Sequence, residues 1–153
     1  YKDGTIYVSN EQDDESDMTD DVVHEIAHSL EKSNHDEIYG DQALENEFLA
    51  KRKYLHHLIP ADTRANMVHF LNPHYDENFD MYLYKDLGYE LLRGLTANLF
   101  YSPYAITSGA EYWANGFEHY FLGDRQKLKD ISPILYNKIK NLVDAKKEEN
   151  NEF

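Results

Sequence analysis

The chain has 153 residues, 41% hydrophobic and 29% charged, which is ordinary for one globular domain that buries a core. A net charge of −14 argues against nonspecific nucleic-acid binding and against docking on an anionic membrane, and it favours a basic polypeptide as substrate or partner. The absence of cysteine excludes disulfides and thiolate metal sites, so any zinc must be held by nitrogen and oxygen.

No apolar run approaches the roughly 18–20 residues of a membrane span. No secretory signal is visible either, but the chain opens on Tyr1 and reads as a trimmed piece of a longer protein, so its compartment and oligomeric state stay open. Thr5-Ile6-Tyr7-Val8-Ser9, between Gly4 and Asn10, is β-branched and aromatic and predicts a short strand. Residues 11–21 hold seven acids and no base. They predict a solvated run into a helix N-terminus, with Asp17, Thr19 and Asp20 as cap residues; the Asp/Asn-Gly spacing of a calcium loop is absent. A helix over 20–32 follows, with Val22, Val23, Ile26, Ala27 and Leu30 as its buried stripe, and Asn34 and Gly40 bracket a loop. Residues 42–59 predict a second helix stopped by Pro60, and 62–71 a third ending at Asn72-Pro73. The Tyr-rich stretch 79–101 reads as one or two helices broken near Gly88 or Gly94, with a short strand at Tyr82-Leu83-Tyr84 as the alternative. Helices over 108–122, with Gly123-Asp124 as stop, and over 133–147 complete the chain, and 148–153 should fray. The expected fold is mainly α (α+β): a single domain over 1–153 with one small N-terminal strand and a helix carrying the motif described next.

That motif is His24-Glu25-Ile26-Ala27-His28. Two histidines four apart on a helix share one face, where both imidazoles can reach one Zn²⁺, and Glu25 beside them can take a proton from a water on the metal. A chain of this composition matches the pattern by chance about 0.04 times, so the motif is worth pursuing as the start of a zinc peptidase site.

Catalytic zinc wants a third protein ligand. The metzincin extension fails, because Asn34 stands where its third histidine should be and Glu31 where its glycine should be. Two glutamates remain. Glu47 has eighteen residues between it and His28, a spacing that resembles the thermolysin and aminopeptidase-type gluzincins. Glu111 lies in Glu111-Tyr112-Trp113-Ala114-Asn115-Gly116-Phe117, seven residues after Tyr104. One turn past Glu111, Asn115 can accept from an imidazole N–H, whereas one turn past Glu47 stands Lys51, a cation that repels a metal. His56, His57, His69, His74 and His119 are isolated or on divergent faces and read as ordinary surface or core residues.

The pairing of His24-Glu25-x-x-His28 with Tyr104, Thr107 and Glu111-Tyr112-Trp113-Ala114-x-x-Phe117 resembles the catalytic domain of anthrax lethal factor-type metallopeptidases, a group that includes the Pro-Pro endopeptidases. The resemblance implies a zincin-like domain in which His24, His28 and Glu111 bind zinc, Glu25 is the general base and Tyr104 stabilises the oxyanion. Asn115 stands where that family carries a second Glu. The function expected is that of a zinc-dependent endopeptidase acting on a polypeptide. The rival readings are a gluzincin with Glu47 as third ligand, and a catalytically inactive, acidic binding module for a basic partner.

Overall fold

A computed structural model describes residues 5–7 and 15–151, and among them the chain is mainly helical. In α1 (Glu15–Ser33), Val23, Ile26, Ala27 and Leu30 follow the i, i+3, i+4, i+7 spacing of one helix face, and that face packs on the core. A short α2 (His35–Tyr39) leads to α3 (Ala43–Leu58). Next come α4 (Met67–Phe70), α5 (Glu77–Met81), a π-helix (Tyr82–Leu87) and α6 (Tyr89–Thr96). A 3₁₀ turn (Pro103–Ile106) then precedes α7 (Gly109–Leu122), α8 (Arg125–Ile131) and α9 (Pro133–Asn151). No described helix is long and apolar enough to cross a membrane.

The centre is α7. A helix that is apolar on every side has to be enclosed, and Tyr112, Trp113, Ala114, Asn115, Gly116 and Phe117 are buried in succession. It packs chiefly on α1 and also meets the 3₁₀ turn, α3, α8 and α9. Trp113 donates its indole N–H to the Ala27 carbonyl of α1 at 2.9 Å, inside the interface. Against α9 the approach is so close that a Cβ on Gly116 would lie 2.4 Å from a methyl of Leu135.

Two buried cations of α3 tie the irregular segments down. Arg52 is fully buried and donates to the carbonyls of Ile106 (2.8 Å), Thr107 (2.7 Å), Asn72 (2.5 Å) and His69 (3.4 Å). Lys51 uses all three of its N–H donors, at 2.6 Å each, on the carbonyls of Leu99 and Ile131 and on Ser132 Oγ. Ser108, just past the 3₁₀ turn, caps α7 by accepting from the Glu111 N–H at 3.1 Å.

Several local expectations are corrected. No strand forms at Thr5–Tyr7, which are exposed, while Val8 and Ser9 lie outside the described residues. Local β propensity alone does not make a strand, which needs a run of ladder pairs along a neighbour. Tyr82-Leu83-Tyr84 is π-helical rather than extended, so that Leu83 and Leu87, four apart, share the buried face. The helix expected over 62–71 shrinks to Met67–Phe70. Thr63 N–H turns back onto the Pro60 carbonyl, Ala65 N–H donates to the Tyr82 hydroxyl, and Asn66 caps only at Val68. Asp124, read as part of a stop, is instead the cap of α8, accepting from Lys127 N–H at 2.9 Å. The tail expected to fray from 148 continues α9 to Asn151, with Lys140–Asp144 and Lys146–Glu149 ion pairs along it.

The two helical glycines Gly116 and Gly94 should respond oppositely to alanine. Gly94→Ala adds a methyl that meets nothing within 4 Å, and should raise stability by up to about 1 kcal/mol through helix propensity. Gly116→Ala collides with the buried Leu135 and should lower it by about 1–2 kcal/mol net, in a urea denaturation series. Arg52→Met, in the same series, leaves four carbonyls, those of Ile106 and Thr107 buried, without their donor and should cost about 3–5 kcal/mol.

Candidate metal centre

On α1, His24 and His28 face the N-terminal turn of α7, where the Ser108 cap sets Glu111. The His24 and His28 Nε2 atoms are 3.2 Å apart. Glu111 Oε2 lies 3.0 Å from the first and Glu111 Oε1 3.4 Å from the second. Metal–ligand bonds of about 2.0–2.1 Å in a tetrahedron put neighbouring ligand atoms about 3.3 Å apart; the two imidazole nitrogens stand near that spacing, and a Glu111 oxygen lies within 4.8 Å of both. Two imidazoles and a carboxylate also suit Zn²⁺ in donor chemistry. Among the described residues this is the single group of three or more His, Cys, Asp or Glu whose ligand atoms all lie within 4.8 Å of one another.

The outward nitrogens are held as well. His24 Nδ1 lies 3.3 Å from Glu118 Oε2, and His28 Nδ1 lies 3.5 Å from Glu31 Oε2. The Tyr39 hydroxyl in turn donates to Glu31 Oε1 at 2.6 Å. A histidine whose Nδ1–H is given to a carboxylate keeps its Nε2 lone pair for a metal and its ring in one orientation.

With no metal present, hydrogen bonds from Glu111 and then Glu118 raise His24 from an ordinary 6.5 to about 10, against the opposing effect of burial. Burial works first against a charge on His28, but Glu111 and Glu31 overcome it and raise it to about 9. Burial likewise opposes the Glu111 charge, and the two histidines overcome it, lowering the carboxyl from 4.5 to about 2.

Tyr104 sits on the 3₁₀ turn and is 42% exposed. Burial, followed by the Glu111 charge and then Asp80, pushes its hydroxyl up to about 12, so at neutral pH it remains a donor. Thr107 is fully buried and returns both its N–H (3.1 Å) and its hydroxyl (2.8 Å) to the Tyr104 carbonyl, which closes the turn. Glu25 is half-buried on α1, directly after His24.

Two expected residues stand elsewhere. Glu47 is away from the histidines: it accepts from the Tyr112 hydroxyl (2.7 Å) and from the Ile134 (2.8 Å) and Leu135 (3.2 Å) N–H groups, capping the start of α9. Asn115 is buried but makes no hydrogen bond to His24 or His28; the carboxylate at His24 is Glu118. The reason is helical phase. At about 100° per residue, a position seven past Glu111 returns to within about 20° of its direction, whereas one four past it is about 40° off. Glu118 and Glu31 were not singled out from the sequence as partners of the histidines. The i, i+7 pair Glu111/Glu118 and the i, i+3 pair His28/Glu31 were the available signals.

The metal-free protein should show a defined pH profile. The two histidines, raised in the folded state, contribute stability that is whole below about 6.5 and is lost as pH rises through 9–10. Glu111, lowered, contributes stability that is whole above about 4.5 and is lost as pH falls towards 2. Urea midpoints in chelator should therefore peak between about pH 4.5 and 6.5, and the alkaline fall should flatten in Glu111→Gln. Comparison with protein-family models, with curated proteins and with solved structures finds no match to this chain.

Proposed function

We propose that this chain is a zincin-like, zinc-dependent endopeptidase. The observation that carries the reading is the convergence of His24 and His28 Nε2 with the Glu111 carboxylate, at 3.0–3.4 Å, from helices some eighty residues apart in the chain. Zn²⁺ held by these three side chains would supply a Lewis acid that lowers the pKa of water and polarises a carbonyl. Glu118 and Glu31, accepting the Nδ1 hydrogens, hold the two rings with Nε2 turned towards Glu111, where a metal would take the place of the Nε2 proton. Glu25, one residue past His24, accepts the proton of the attacking water and returns it to the leaving amine. Tyr104, kept protonated, donates to the oxyanion that forms on the scissile carbonyl. The net charge of −14 raises the local concentration of basic peptides near the cleft.

The test compares peptide hydrolysis at equal zinc loading. Glu25→Gln should bind zinc normally and lose about 10²–10⁴-fold in kcat, and Tyr104→Phe about 10²–10³-fold. Equal rates in wild type and Glu25→Gln would overturn the mechanism. Zinc content by atomic emission should collapse in Glu111→Ala and persist in Glu47→Ala. The reverse result would return the third ligand to Glu47.

A further inference from the structure

Beside the metal triad lies a cavity of about 390 Å³, within the size range of small-molecule and side-chain sites. Phe48, Tyr39, Tyr75 and Tyr112 give it aromatic walls, and Glu31 and Glu45 give it two carboxylates. None of its lining residues is Lys or Arg. The chain's own buried cations, Lys51 and Arg52, spend their donors on carbonyls and a serine hydroxyl elsewhere.

The cavity adjoins the surroundings of the triad at two places. Glu31 lies 3.5 Å from the outer nitrogen of His28, so this wall touches a ligand of the triad. Ser108, Gly109 and Ala110 line the cavity immediately before Glu111, and Tyr75 lies close enough to Tyr104 for its charge to act on that hydroxyl.

We propose that this cavity binds an arginine side chain of the cleaved peptide, a specificity that rests on the peptidase reading above. Glu31 and Glu45 face one space: the charges of both reach the hydroxyl of Tyr39, which burial and then these carboxylates push upward. An apolar side chain would answer neither Glu45 at the rim nor the acceptor capacity Glu31 keeps beside its bond from Tyr39. Lysine would bring a compact, strongly hydrated charge that must shed its water among aromatic rings. A guanidinium stacks on those rings and offers a carboxylate two parallel N–H donors while its stem covers the apolar walls. Glu45 is exposed on α3 and is the carboxylate free of the metal ligands, so it is the residue on which to test the site.

The experiment scans arginine, lysine, leucine and glutamate through each position flanking the cleaved bond, using zinc-loaded wild type and Glu45→Arg. One position should favour arginine over leucine by about tenfold or more in kcat/KM, as charged hydrogen bonds allow, and Glu45→Arg should turn that preference towards glutamate. Cleavage with no arginine preference, or with one unchanged in Glu45→Arg, overturns the arginine site and leaves the peptidase reading standing. If no peptide is cleaved the peptidase reading falls instead, and binding decides for the cavity. Zinc-loaded Glu25→Gln protein is then titrated with acetyl-arginine methylamide while the tyrosine ring resonances are followed. Saturable shifts that vanish on adding Glu45→Arg retain the arginine site, and their absence overturns it.

Discussion

The docking of α7 on α1 is the constraint on which the centre depends. The Trp113 indole reaches the Ala27 carbonyl, and Ala27 lies between the two histidines of the motif. A larger residue at 27 would lift α7 away, and loss of the indole would leave a buried carbonyl short of a donor. Because Glu111 is only two residues before Trp113 and is itself set by the Ser108 cap, this contact fixes its carboxylate against both Nε2 atoms. The small residues on either side of α7, Ala27 towards α1 and Gly116 towards α9, let it sit in the middle of the helices rather than on their surface.

A second layer holds the centre without touching it. Arg52 is stacked between the Phe48 and Phe79 rings, 4.7 and 4.6 Å from their centroids, while its N–H groups bind the Ile106 and Thr107 carbonyls at the C-terminal end of the turn that carries Tyr104. Burying a charge is tolerable only when its donors are used and its faces are covered, and both hold here. Lys51 plays the same part at the junction of α8 and α9; burial lowers it to about 8, and its three acceptors keep it in place. Glu47, one turn earlier, clamps the start of α9 and the Tyr112 hydroxyl. The charged residues of α3 thus serve the architecture, which is why Glu47 has the sequence spacing of a ligand and none of its geometry.

How much was legible follows the range of each interaction. His24, Glu25 and His28 lie within one helical turn, and helix periodicity alone dictates that the two imidazoles share a face. Glu111 was favoured over Glu47 because of what stands one turn beyond each, and the structure brings Glu111 to the histidines, although Asn115 does not make the contact that argued for it. The partner two turns on, Glu118, depends on the crossing of α7 over α1, which no local pattern encodes. The short strand is not seen at Thr5–Tyr7 for the converse reason: β propensity is a local signal, and a strand needs a ladder that only tertiary context supplies. Nothing local in α3 marks Lys51 and Arg52 for burial; the irregular segments packed around α3 supply the acceptors that bury them.

The sequence by itself determined the mainly helical character, the acidic charge, the absence of thiolate ligands and a helix bearing two histidines and a glutamate in metal-site spacing. Those properties are set by composition and by contacts within a turn or two. The tertiary structure decided where Glu111 and Glu47 stand relative to the histidines and which acids orient their outer nitrogens. Those depend on how α1, α3 and α7 cross, and that crossing is set by a tryptophan, a buried arginine and two small residues far apart in the chain.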